Sequence, residues 1–241
     1  LENDPQLESV SVDVQFQHHG IESIHFIDNE SASLEEFAQS GREALVAIRN
    51  LVDLSEHFRV VTIGCGMGRI EHPLATEVDE VIAFDISPTM IQRAETYLAG
   101  KPNVRLHVTD GRLLEAADGC ADLVLSFLVF QHADREAVHT YFSEAHRVLR
   151  DSGRFLFHVH CYPAADSDIQ TASLVDRYYG EGKIRVSEAE ITRGLEEAGF
   201  VIEWSRESSS QGVERRLGGT QGPWTNMLFC VRRPPAEASP A

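Results

Sequence analysis

The sequence predicts a doubly wound α/β fold, a mostly parallel seven-stranded sheet with helices on both faces. Three observations carry that prediction. Short apolar, β-branched runs alternate with segments of helical periodicity. The helical segments open on capping signals, and the first strand-like run stops at a glycine-rich turn. Such alternation implies strands buried on both faces, because each crossover helix packs back onto the sheet.

In chain order, Ser33-Leu-Glu-Glu36 is a capping box whose serine and glutamate can satisfy each other's end of a first helical turn. Leu34, Phe37, Ala38, Leu45, Ile48 and Leu51 follow at helical spacing. Arg59–Ile63 reads as a buried strand ending at glycines, with a helix expected over about 69–77 and the next strand over 81–84. Ser87-Pro88 supplies an N-cap with proline at the first helical position, and Met90, Ile91, Ala94 and Leu98 give that helix an inner face. Val104–Val108 and 122–127 continue the strands. Asp134 opens a helix running through Leu149, with Gly153 expected to end it. Residues 154–160 form a fifth strand. Ser187-Glu-Ala-Glu190 is a second capping box, for a helix ending at Gly199, and 200–204 and 227–231 are the last strands, joined by a long Gly/Ser-rich connection.

The bulk numbers bound the class of function. At 241 residues and 42% hydrophobic, the chain suits one decorated α/β domain, and no apolar run reaches the roughly 20 residues of a membrane helix. Residues 1–17 carry neither a basic flank nor an apolar core, so no signal peptide is expected. Cys65, Cys120, Cys161 and Cys230 lack the spacing of a metal knuckle or redox pair and read as reduced thiols of a cytoplasmic protein. Against 21 Lys+Arg stand 38 Asp+Glu, a net charge of −17 that repels phosphate backbones, so neither nucleic acid nor membrane is an expected partner. Residues 1–32 are an N-terminal segment and candidate lid, 33–233 the main domain, and 234–241 a Pro/Ala/Ser-rich tail expected to be disordered.

In open parallel sheets ligands bind beyond the carboxyl ends of the strands. Gly64, Gly66 and Gly68 fall at such an end, where glycine permits a tight turn and close approach of a ligand. The dinucleotide fingerprint G-x-G-x-x-G would put its third glycine at 69, which is Arg69. The spacing G-x-G-x-G argues against a pyrophosphate ligand. Asp85 ends the second strand about 20 residues on, as a carboxylate accepting from both hydroxyls of a ribose does.

TIGCGMGR, FDISPTMIQRA, Thr109-Asp110, LVLSFLVFQHA and HRVLRDSGRFLFHVH together resemble the class I S-adenosylmethionine-dependent methyltransferases, of the small-molecule type, from about Phe37 to Val231. The resemblance implies a Rossmann-like sheet with its last strand antiparallel, an insertion at about 161–186 that covers the substrate, and S-adenosyl-L-methionine as cofactor. It implies that Thr62, Gly64, Cys65, Gly66 and Gly68 line the amino-acid and ribose portion, and that Asp85 holds the ribose hydroxyls with Ile86 and Met90 beside the adenine. Asp110 accepts from the adenine amino group with Gly111 and Arg112 adjacent, and Ser126 and Phe127 face the methionine portion. The sequence departs from the family at Thr62, where an acidic residue is usual; weaker binding, a compensating group, or drift from methyl transfer are the alternatives.

Methyl transfer is an in-line displacement in which orientation saves about 7–11 kcal/mol. A base contributes about 100- to 10,000-fold when the acceptor must lose a proton. His132 is the candidate base. His158 and His160 are further catalytic candidates that share one sheet face, and one of the two is expected to be a packed core histidine. His18-His19 belong to the candidate lid, Asp176-Arg-Tyr-Tyr179 to the insertion, and Arg215, Arg216 and Trp224 to the long connection. No metal is expected. The function predicted is methyl transfer to an O, N or C atom of a small metabolite, in specialised metabolism. The alternatives are a cyclisation or rearrangement on the same cofactor and a non-catalytic binding subunit. The oligomeric state is open, a homodimer being the assembly considered.

Overall fold

The computed structural model describes residues 33–163, 186–218 and 224–235. The elements are α1 (Leu34–Leu51), β1 (Arg59–Ile63), α2 (Glu71–Leu74), β2 (Glu80–Asp85), α3 (Pro88–Tyr97), β3 (Val104–Val108), β4 (Ala121–Ser126), α4 (Arg135–Val148), β5 (Leu149–Cys161), α5 (Glu188–Glu197), β6 (Val201–Glu207) and β7 (Thr225–Arg232). Short 3-10 turns cover Phe130–His132 and Gly212–Arg216. The strands form a seven-stranded sheet in the order β3-β2-β1-β4-β5-β7-β6. β7 runs antiparallel to both β5 and β6, as the resemblance implied. The chain divides into two compact units.

The first unit takes in residues up to Glu115 with Gln211–Arg216. β1, β2 and β3 pair in parallel, Val60 opposite Val81 and Val81 opposite Val104. Every residue of β2 is buried, the mark of a strand covered on both faces. The predicted caps form: Ser33 accepts from the Glu36 amide, and Ser87 from that of Met90, with Pro88 at the start of α3. α1 and α3 bury Phe37 and Met90, which pack with Met67 and Tyr97. The helix expected over 69–77 is shorter, Glu71–Leu74. Ile70 stands at its N-cap and has no side-chain acceptor to satisfy the first amides.

The second unit takes in 116–210 and 217–241. Asp134 and Ser187 cap α4 and α5 as predicted. The expectation that α4 runs past Leu149 to Gly153 is corrected: the helix stops at Val148, and both residues lie in a 13-residue β5. Ser152 at φ 65 turns the chain there, and a Cβ on Gly153 would sit 2.9 Å from the Arg150 carbonyl oxygen. Gly153 is therefore a close-packing residue inside a strand. Phe130, Phe142, Phe155 and Phe157 form an aromatic core with mostly edge-to-face contacts. His18, His19 and Asp176-Arg-Tyr-Tyr179 lie outside the described residues.

Candidate functional site

In the first unit, β1 ends at Ile63 and the chain turns through Gly64, Gly66 and Gly68 at φ 74, 54 and 90. These are left-handed conformations that a side chain resists. Gly68 has a second reason: a Cβ there would meet the Leu98 side chain at 2.7 Å. The turn is pinned to the neighbouring strand, because the Gly64 and Cys65 amides both donate to the Phe84 carbonyl, at 2.8 and 2.9 Å.

Asp85 completes the clamp. Its Oδ2 accepts from the Gly66 amide at 2.7 Å and its Oδ1 from the Ser87 amide at 2.9 Å. A carboxylate oxygen has more than one lone-pair site, and these two bonds hold the Asp85 carboxylate in place beside the turn. Ile86 follows at the strand end, whereas the Met90 side chain is turned into the core, 1% exposed. After β3, the Thr109 amide donates to the Asp85 carbonyl, and Asp110 Oδ1 accepts from the Arg112 and Leu113 amides, both at 2.9 Å. The Leu113 amide foremost holds the Asp110 carboxyl below its usual range. Gly111, at φ 82, makes that tight turn.

Two oxygens beside the glycine turn are buried without hydrogen-bond partners among the described residues, Thr62 Oγ1 and Glu71 Oε2. Burial pushes the Glu71 carboxyl up to about 7, against the opposing pull of its own amide, the Thr62 hydroxyl and the Arg69 charge. Burial, with the Glu71 and Asp85 charges adding to it, raises the Cys65 thiol far enough to leave it an inert neighbour of the turn. A site that combines open backbone, a fixed carboxylate and buried polar atoms lacking partners fits a polar, hydroxyl-bearing ligand with a cationic group.

The sequence reading missed two residues here. Glu71 stood inside an expected helix with nothing in its spacing to mark it. Gly41 sits in mid-helix, where glycine costs roughly 1 kcal/mol relative to alanine, a signal of close approach. A Cβ on Gly41 would lie 2.1 Å from the Arg69 carbonyl oxygen, so α1 passes directly against the chain leaving the turn. Arg216, in the long connection, pairs with Glu43 of α1 at 2.7 Å, and its carbonyl accepts from Arg69.

In the second unit, Ser126 ends β4 with its hydroxyl buried and without a hydrogen-bond partner among the described residues. Phe127 follows, 7% exposed. His132 is exposed at the end of the 3-10 turn. His158 is wholly buried on β5, its Nε2 3.2 Å from Asn226 Oδ1. Burial lowers its pKa to about 4 despite that bond. His160, two residues on, is half-buried and stacks on Trp224 with ring centroids 4.6 Å apart. A cavity of about 530 Å³ near Gly119 and Arg150 lies at the amino ends of β4 and β5, away from these residues. Its arginines face carboxylates, Arg147 with Asp118 and Arg233 with Asp151. Among the described residues no His/Cys/Asp/Glu group could hold a metal ion, and no helix is long and apolar enough to cross a membrane.

Comparison with known proteins points the same way. Residues 60–153 match the family described as a methyltransferase domain. The chain is 32% identical over 119 residues to the malonyl-[acyl-carrier protein] O-methyltransferase of Methylococcus capsulatus, a match spanning 48% of this chain and 42% of that protein. Its fold resembles the geranyl diphosphate C-methyltransferase of Streptomyces coelicolor A3(2), solved with Mg2+, geranyl diphosphate and S-adenosyl-L-homocysteine. That likeness has a TM-score of 0.63 at 17% identity and covers 80% of each chain. It also resembles the [4+2]-cyclase SpnF, with a TM-score of 0.65 at 16% identity over 81% of this chain and 82% of that one.

Proposed function

We propose that the chain, whose residues 60–153 match a methyltransferase-domain family, is an enzyme that binds S-adenosyl-L-methionine and transfers its methyl group to an O, N or C atom of a small molecule. The observation that carries the proposal is the Asp85 carboxylate, fixed at the end of β2 and tied to the Gly66 amide across the glycine turn. In this reading Asp85 holds the ribose hydroxyls and the backbone of Gly64, Gly66 and Gly68 leaves room for the sugar and amino-acid chain. Asp110, with Gly111 and Arg112, bounds the adenine together with Ile86, while Met90 supports that wall from the core. When bound, the cofactor supplies a methyl carbon on a sulfonium, open to in-line displacement.

The remaining residues orient the acceptor and handle its proton. Ser126 and Phe127, at the end of β4, are the residues that the family resemblance assigns to the methionine portion. His132, exposed at the end of the 3-10 turn, is the candidate base. His160 is oriented by its stack on Trp224. His158, buried and held neutral, supports that strand without exchanging protons with an acceptor. A small-molecule acceptor accords with the net charge of −17, which opposes a polyanionic one.

Incubation with methyl-labelled cofactor and a metabolite panel tests the proposal. Label is expected to leave the cofactor and enter a product as S-adenosylhomocysteine accumulates. Turnover of a panel member with all label retained on the cofactor would assign the protein to the non-methylating alternative. Absence of S-adenosylhomocysteine binding at millimolar ligand would leave a non-catalytic subunit.

A further inference from the structure

We propose that Glu71 receives the α-ammonium group of the S-adenosyl ligand, supplying from the start of α2 the negative charge that Thr62 does not offer at the end of β1. This rests on the cofactor reading above and names the residue that completes it. Glu71 is 3% exposed, and its Oε2 has no hydrogen-bond partner among the described residues. A buried carboxylate in that condition is costly, and proteins relieve such a group by pairing it or by leaving it protonated.

The surroundings show which relief was built. Thr62, equally buried, lies close enough for its hydroxyl to act on the Glu71 carboxyl as a hydrogen-bonding neighbour, although neither Thr62 Oγ1 nor Glu71 Oε2 makes a well-aligned hydrogen bond among the described residues. Arg69 acts on Glu71 by its charge, yet burial still dominates and the carboxyl rests at about 7. Asp85 adds a second negative charge on the same group. Two carboxylates and a hydroxyl that can accept as well as donate, around an open glycine turn, make a receptor for a cation with several N–H donors, which an ammonium is. The sulfonium is the ligand's other cation, but it has no N–H or O–H with which to satisfy the Thr62 hydroxyl and the Glu71 oxygen together.

Calorimetric titration with three ligands separates the contributions. S-adenosylhomocysteine carries the ammonium without the sulfonium, S-adenosylmethionine carries both, and 5′-methylthioadenosine carries neither. Glu71→Gln, which keeps the shape and removes the charge, is expected to weaken both amino-acid-bearing ligands about 10- to 100-fold and to leave methylthioadenosine within about twofold. Thr62→Asp in the Glu71→Gln background is expected to recover most of the loss. Glu71→Asp, which withdraws the carboxylate by one methylene, is expected to show a smaller loss with the same ligand dependence, and it decides the matter should Glu71→Gln not fold. An equal loss on all three ligands, or none, overturns the proposal. A loss confined to S-adenosylmethionine transfers the role to the sulfonium and overturns it too. A wild-type protein that binds none of the three, methylthioadenosine included, overturns the adenosine-binding reading itself and this one with it.

Discussion

At the scale of single residues, the proposed function divides the site into groups that hold and a group that reacts. Asp85 is held by two backbone amides, so its carboxylate is in position before any ligand arrives, and little ordering remains to be done on binding. Asp85→Ala removes the acceptor for a diol and leaves the Gly66 amide without its carboxylate partner. Hydrogen bonds to charged groups contribute about 1.5–3 kcal/mol each, so S-adenosylhomocysteine affinity is expected to fall by about 100-fold or more. His132→Ala is expected to keep affinity within about twofold while lowering kcat by about 100-fold or more. Titration and methyl-transfer assays on both variants check this. Equal losses of affinity contradict the division of roles.

Among the elements, β5 carries an acid-sensitive buried histidine. His158 is fully buried, bonded through Nε2 to Asn226 on β7, and its pKa is lowered to about 4. The unfolded chain takes up this proton near 6.5 and the folded one near 4. Stability is therefore level above about pH 7 and falls as pH drops through that window, by about 2 kcal/mol between pH 7 and pH 5 from this residue. Urea unfolding at the two pH values is expected to show that pH-dependent loss in the wild type and its absence from the additional loss in His158→Leu. An unchanged pH dependence in the variant places the acid sensitivity elsewhere. The elements also show where sequence reading fails. The caps at Ser33, Ser87, Asp134 and Ser187 were legible because capping is local chemistry of three or four residues. The true ends of α2 and α4 were not. Whether residues near Gly153 continue a helix or enter a strand depends on the backbone of Asp122 at the start of β4, which only the folded chain brings near.

For the molecule as a whole, ligand linkage gives the simplest check. A ligand that binds only the folded state at 100 times its Kd adds about 2.7 kcal/mol of stability. For a chain of this size each kcal/mol moves Tm by about 2–4 °C, so saturating S-adenosylhomocysteine is expected to raise Tm by roughly 5–10 °C. Asp85→Ala measured at the same ligand concentration is expected to lose most of that rise. Differential scanning calorimetry gives both values, and a wild-type Tm unmoved by the ligand contradicts the cofactor reading.

By itself the sequence determined the α/β class, the seven strands, the caps, and the pairing of a glycine turn with Asp85. Each of these is written in periodicities or short spacings that any chain with those residues must obey. Only the tertiary structure decided that Gly41 is the point where α1 meets the turn, that His158 and His160 on one sheet face live in different surroundings, and that Glu71 is a buried carboxyl beside Thr62. The reason is physical. Burial and partnership are properties of neighbours distant in sequence, and a carboxylate's chemistry depends on whether water or protein surrounds it, which no spacing along the chain records.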